Sequence, residues 1–302
     1  MQICIAGKNS IAVNALAYLL ESFSVDSLMV IPNATDCGLD TWQPSLLKFA
    51  RENQVRVISL EEAYRIPHLI FLSLEFDRIV RVEKFKSENL FNIHFSKLPK
   101  FKGVYTSIMP ILCGEMESGV TLHRIDSGID TGEIIAQRSF SIGINDTARD
   151  LYFKYLENAF MLFCENLQSL LQGSFRSQRQ DCFSGSYYCR KDVDLQNIAI
   201  NLKKTSFEIH NQLRAFIFKE YQFPKLNGIA ITKSRLSDVF IGRNTFREYG
   251  DRFVLSGICG YEIQAYKSSV SVDSAFIDGA CEASGKSSAC AKTTAVRGRG
   301  GL

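Results

Sequence analysis

The chain alternates unbroken apolar runs with amphipathic stretches from its first residues. "QICIAG" (residues 2–7) is a continuous apolar run of strand length. "SIAVNALAYLLESF" follows, with apolar residues at helical spacing. "SLMVIP" predicts a second strand, and "PSLLKFAREN" predicts a helix with proline at its start. "VRVISL", "HLIFLSL" and "LFNIHF" predict three further strands. Strands alternating with helices imply an α/β, Rossmann-like, mostly parallel sheet, because parallel strands need crossover helices. "GVTLHRI" and "GEIIAQRSFSI" read as a strand pair around the segment "DSGIDTG". A long amphipathic helix is expected from Asp146 and Thr147 onward, with an acidic cap and a closing Gly173.

The pattern changes after Gly173. "SFRSQRQDCFSGSYY" is polar and loop-like, "SFEIHNQLRAFIF" returns to helical spacing, and "GIAITKSRL" and "RFVLSGICGYEIQAY" read as short strands. The expected organisation is a large domain over 1–180 and a smaller α+β unit over 181–273. Residues 274–302, rich in Ser, Ala, Gly and Lys, read as a disordered tail or a vector-derived remnant.

Composition changes this picture little. A formal net charge of +3 is too small to argue for nucleic acid as a partner. No apolar run reaches the roughly 18 residues of a membrane span. The opening "MQICIAGKN" lacks the basic and long apolar regions of a signal peptide. The 9 cysteines are scattered with no CxxC pair, which favours reduced thiols and a cytoplasmic setting. With 4 histidines and none beside a cysteine pair, no metal site is expected.

The chemistry concentrates in three stretches. "GKN", ending in Lys8 and Asn9, follows the first strand, but it is not GxGxxG and reads as a strand-to-helix turn before it reads as a phosphate site. In "FNIHFSKLPKFKG", residues two apart on a strand share a face, so Asn92 and His94 converge while Ile93 packs away. Pro99 and Gly103 turn the loop that follows, and Lys97, Lys100 and Lys102 make it positive. In "IDSGIDTG" (125–132), Asp130 is a candidate to accept a hydrogen bond from an imidazole. An Asn-His-Asp set suits acyl transfer to an amine: a base manages the amine proton, and an amide or imidazolium stabilises the oxyanion.

At these residues the chain resembles a known family. "NIHFSKLPKFKG" followed by "LCGEMESGVTLHRIDSGIDTGEIIAQ" (92–137) is similar to the signature of the formyltransferases that use N10-formyltetrahydrofolate. Methionyl-tRNA and glycinamide ribonucleotide formyltransferases are members. The resemblance implies Asn92, His94 and Asp130 as the catalytic triad. It implies a folate pocket at the sheet edge, held by backbone groups around Leu72, Ser73, Leu74 and Glu75 and by the 126–130 loop with Asp126 and Gly128. It implies no metal.

The acceptor is read from the loop after the glycine, where "VYTSIMP" departs from the tRNA-type pattern. "GVYTS", "SYYCRKDVD" and "IHNQLRAFIFKEYQFPKLNG" instead resemble the sugar N-formyltransferases over about 1–275. That resemblance implies a dTDP-linked amino-dideoxy sugar, with dTDP-4-amino-4,6-dideoxyglucose placed first and a 3-amino sugar as the other choice. It also implies surface polysaccharide (O-antigen) synthesis and a homodimer formed through the small unit. Expected acceptor contacts are Lys8, Asn9, Tyr105, Thr106, Ser107, Tyr187 and Tyr221. Tyr187, Tyr188, Phe218, Tyr221 and Phe223 are the aromatics a nucleotide base needs. Lys8, Arg190, Lys191 and Arg214 are the cations a diphosphate needs. The alternatives are a tRNA-modifying formyltransferase and a binding module without activity. The mixed charge of the second unit counts against the first, and the intact Asn-His-Asp set against the second.

Overall fold

In the computed structural model, which describes residues 1–268, the chain enters a sheet at β1 (Ile3–Gly7) and crosses back through α1 (Asn9–Leu20). It continues through β2 (Leu28–Pro32), α2 (Leu46–Glu52), β3 (Arg56–Val57), α3 (Leu60–Arg65), β4 (Ile70–Leu74) and β5 (Leu90–His94). These strands are parallel, in the order β3-β2-β1-β4-β5. The chain therefore winds outward from β1 first to one side and then to the other. The carboxyl ends of β1 and β4 flank the point where the winding reverses, which is where open α/β sheets hold ligands.

The unbroken apolar runs follow from burial on both faces. In β1, Ile3 and Ile5 pack into the core under α1, while Cys4 and Ala6 pack into the opposite core under α3. "VRVISL" forms only a two-residue strand, because Ser59 caps α3 by accepting from the Glu62 backbone N–H. The helix expected at "PSLLKFAREN" starts two residues after Pro44, with Ser45 as its cap.

After β5 come β6 (Lys102–Gly103), the short α4 (Met109–Leu112), β7 (Glu117–Arg124) and β8 (Ile134–Ser141). β7 pairs antiparallel with β5, placing His123 opposite Asn92 and Thr121 opposite His94. β8 then completes the seven-stranded sheet. The long helix is α5 (Ala148–Gln172), which packs with α1 over one face. Its cap is Thr147, in a capping box with Asp150, rather than an acidic residue. Asp146 instead accepts from the Gly143 N–H and from Lys154. Gly173 ends the helix in the left-handed conformation, as expected.

The polar segment after α5 does not leave the large domain at once. β9 (Tyr187–Tyr188) pairs parallel with β6, and Val193, Leu195, Ile198 and Ile200 pack against the main core. The smaller unit contains α6 (Ser206–Ala215), β10 (Lys225–Leu226), β11 (Ile229–Phe240), β12 (Phe246–Glu248), β13 (Arg252–Leu255) and β14 (Tyr261–Lys267). Its strands form an antiparallel sheet in the order β10-β11-β14-β13-β12, under α6. Two α6 side chains tie it to the loop before α5: His210 Nε2 donates to the Ile144 carbonyl at 2.8 Å, and Arg214 donates to the Gly143 and Asp146 carbonyls. The tail reading for 274–302 lies outside the described residues.

Candidate active site

Asn92 and His94 sit at the carboxyl end of β5, inside the sheet between β4 and β7. The strand alternation turns both toward one cleft, of about 1580 Å³, which also receives Asp130. His94 is only 8% exposed, so it is a buried group and not the exposed loop residue its neighbouring lysines suggest. Its Nε2 donates to the Phe101 carbonyl at 2.8 Å, which turns Nδ1 toward Asp130 Oδ2 at 3.5 Å. Asp130 therefore meets His94, across the whole β7–β8 hairpin connection.

Asp130 is held from several sides. Its Oδ2 accepts from the Gly103 N–H at 2.9 Å, its Oδ1 from Asn92 Nδ2 at 3.4 Å, and its own carbonyl from Gln180. Burial alone would push its carboxyl up. The charge of His94 and the Gly103 N–H are among the contacts that outweigh burial and hold it well below the usual carboxylate range. Gly103 is required by close approach: a Cβ there would stand 2.2 Å from the Tyr188 carbonyl oxygen. Gly128 is required by its own loop, where a Cβ would meet Thr131 Oγ1 at 2.0 Å. Asp126 spends its carboxylate inside that loop, accepting from the Gly128 N–H and from Thr131 Oγ1.

The stretch 72–75 divides between sheet and cleft. Leu72 and Leu74 are fully buried, and their backbone lies in ladders with β1 and β5. Of that stretch only Ser73 and Glu75 line the cleft, and the segment 76–80 beyond them lines it too. Ile79, Val80, Ile125 and Ile129 give this end an apolar wall beside the polar 126–130 loop, which fits a flat heterocycle with hydrogen-bonding edges.

Lys8, Tyr105, Thr106, Ser107, Tyr187 and Tyr221 all line the cleft; Asn9 lies behind it. Asn9 Nδ2 donates to Glu75 Oε2 at 3.2 Å and to the Tyr152 hydroxyl at 2.8 Å. The Tyr105 hydroxyl donates to the Arg190 and Val193 carbonyls, so it also straps the 190–193 segment across the cleft. Arg214 does not line the cleft: it is fully buried, with Nε donating to Asn211 and Nη1 to the Gly143 and Asp146 carbonyls. Lys191 does not line the cleft, whereas Lys8, Arg78, Arg190 and Lys225 do. Lys225 and Arg78 carry no motif, and nothing in the sequence marks them. His123 was missed for the same reason, although the antiparallel pairing of two neighbouring strands places it opposite Asn92.

Glu75 is a second half-buried acid of the cleft. It has a left-handed φ of 58°, uncommon for a residue with a side chain, and accepts from the Tyr152 hydroxyl at 3.0 and 3.1 Å. Burial raises its carboxyl above the usual value, against the charge of Lys8 and the bonds from Tyr152 and Asn9. A carboxyl raised by folding favours the folded state below its unfolded value near 4.3 and loses that contribution as pH rises through the folded value. Glu75→Gln is therefore expected to raise Tm at pH 7–8, by about 2–4 °C for each kcal/mol recovered. The gain should vanish as pH falls to about 4. Melting curves across that range check it; an equal gain at every pH would reject ionisation as the cause.

The formyl transferase family pattern matches residues 76–167, the span that holds Asn92, His94, His123 and Asp130. The solved N-formyltransferase from Helicobacter canadensis, in complex with folinic acid and dTDP-3-aminofucose, is 57% identical, covering 89% of this chain and all of that one, with a TM-score of 0.87. WlaRD, a sugar 3N-formyl transferase solved in the presence of dTDP and 5-N-formyl-THF, is 55% identical over 89% of this chain, with a TM-score of 0.88. A methionyl-tRNA formyltransferase from Coxiella burnetii is 28% identical over 229 residues, 72% of each chain. The fold and site define a formyl transferase. Within that class, the chain belongs to the sugar N-formyltransferases.

Proposed function

We propose that the protein transfers the formyl group of N10-formyltetrahydrofolate to the 3-amino group of a dTDP-linked 3-amino-3,6-dideoxyhexose. The observation that carries this is one cleft holding Asn92, His94 and Asp130, with an apolar and polar-loop wall on one side and aromatic and cationic side chains on the other. The two similar solved proteins, whose names give a 3-amino sugar and a 3N-formyl transfer, favour C3 over the C4 amine placed first by the sequence. In the reaction the amine nitrogen bonds to the formyl carbon and the bond to N10 breaks. The amine gives up one proton and N10 gains one.

Asn92 and His94 are assigned to the formyl oxygen, and His94 with Asp130 to the amine proton. Ser73, Glu75, Asp126 and Gly128 are assigned to the folate side of the cleft. Tyr187 and Tyr221 offer faces to a base, and Lys8, Arg190 and Lys225 offer charge to a diphosphate. The pairing of β9 with β6 supports a large domain that extends to about residue 204 and not 180. Val239, Phe240, Ile258 and Tyr261 are exposed together at one end of the small unit, which supports a homodimer through that surface. The reading places the reaction at a cytoplasmic step in surface polysaccharide assembly; among the described residues no helix is long and apolar enough to cross a membrane.

The test is an assay with N10-formyltetrahydrofolate and three acceptors: dTDP-linked 3-amino and 4-amino dideoxyhexoses, and methionyl-tRNA. The 3-amino sugar should give product fastest and the tRNA none. Recognition of tRNA would show a steep salt dependence, with a slope of roughly −0.7 to −0.9 per phosphate contact. Efficient tRNA formylation with KM climbing in that way would overturn the sugar reading, and preference for the 4-amino sugar would overturn the C3 assignment alone.

A further inference from the structure

His123 is 2% exposed and carries two polar contacts of different kinds. Its Nδ1 lies 2.7 Å from the Arg124 carbonyl oxygen, which can only accept, so Nδ1 bears the proton. In the neutral ring Nε2 is then an acceptor, and Asn92 Nδ2 stands 3.0 Å from it. Asp130 Oδ1 is farther from Nε2, at 3.6 Å. One Asn92 N–H therefore goes to His123. The other reaches Asp130 Oδ1 only at 3.4 Å, a long contact.

This matters because the two ends of an amide differ little in shape and oppositely in charge. An N–H end stabilises a developing oxyanion; a carbonyl end repels it. We propose that His123 is a positioning residue which, through the tautomer locked by the Arg124 carbonyl, fixes the Asn92 amide so that its loosely held second N–H is the one released to the formyl oxygen. His123 touches neither reactant in this role. It acts through Asn92, and the ladder pairing of β5 with β7 keeps the two side chains in register. Asp130 stays ionised without a proton from His123, since His94 and the Gly103 N–H also favour its charged form.

The inference rests on the transfer reaction proposed above, and two measurements keep the claims separable. The first is nitrogen NMR of the His123 ring in the wild-type protein near neutral pH, assigned by loss of the signal in His123→Gln. A protonated Nδ1 and an unprotonated Nε2 are expected whatever the substrate. A proton on Nε2 overturns the proposal, because Nε2 could then not accept the Asn92 N–H that the proposed orientation needs. The second compares His123→Leu with His123→Gln, whose side-chain oxygen can accept in place of Nε2. Leucine should lower kcat about 10²-fold, the order expected when a catalytic group is misplaced, with both KM values little changed. Glutamine should recover most of the loss. Equal loss in both variants, with matching melting curves, would reduce His123 to packing. Absence of any transfer by the wild type would count against the proposed function and leave the ring tautomer as the test of this one.

Discussion

Replacing His94 by alanine is expected to lower kcat about 10²–10⁴-fold, the range associated with losing a positioned acid-base group. Burial complicates the experiment, because His94 is 8% exposed and bonds the Phe101 carbonyl. Alanine leaves that carbonyl without its partner, which costs about 1–3 kcal/mol of stability when the group stays dry. His94→Gln is the necessary companion, since its amide can still donate to Phe101 but cannot carry the proton of an imidazole. Both variants should be nearly inactive in single-turnover formylation, while only alanine should melt markedly earlier. If glutamine kept wild-type turnover, His94 would be a structural group and the proton would have to move through another residue.

The sheet was legible because its strands obey a simple rule. Burial on both faces demands continuous apolar residues, and "ICIAG", "LMVIP" and "IFLSL" are such runs. The convergence of Asn92, His94 and Asp130 was legible for a different reason: Asn92 and His94 are two apart on one strand, and Asp130 belongs to a motif with two glycines that have little structural latitude. What stayed hidden depends on through-space pairing. His123 looks like one polar residue in a strand until β7 is set against β5. The burial of Leu72 and Leu74 follows from β4 lying in the middle of the sheet, an order that local pattern does not reveal.

The pairing that returns the chain to the main sheet's loops beyond residue 180 stayed hidden for a related reason. "SGSYY" is polar enough to read as a linker, yet Tyr187 and Tyr188 form a strand against Lys102 and Gly103. Two residues of pairing are too short to leave a periodic signal. The same contact closes one wall of the cleft, where Phe101 and Tyr188 stack with ring centres 5.9 Å apart. Arg214 illustrates the opposite error. Its charge suggested a phosphate ligand, but helix α6 faces the main domain, where Nη1 is held by the Gly143 and Asp146 carbonyls and Nε by Asn211.

Asp130→Asn is expected to lower kcat about 10²–10⁴-fold with a much smaller effect on acceptor KM. The carboxylate accepts at both oxygens, from the Gly103 N–H at Oδ2 and from Asn92 at Oδ1, and His94 Nδ1 lies 3.5 Å from Oδ2. An amide can accept at one atom only, so at least one of these donors must face an N–H. If the asparagine oxygen stays with Gly103, its NH2 turns on Asn92, and the oxyanion-binding amide is displaced. If it turns the other way, the NH2 opposes Gly103 and His94. Either arrangement disturbs the groups that handle charge in the reaction while leaving the aromatic and cationic wall intact. The pH behaviour follows from the lowered carboxyl. A depressed group contributes stability that is full above its unfolded value near 3.9 and is lost only as pH falls below that, toward the folded value. The wild type should therefore keep a stability advantage over Asp130→Asn at pH 5–8, and the two melting temperatures should converge in strong acid. Steady-state kinetics with varied acceptor, combined with melts from acid to neutral pH, separate the effects. A variant that kept its kcat and lost only acceptor affinity would remove Asp130 from the catalytic set and place it in the sugar subsite.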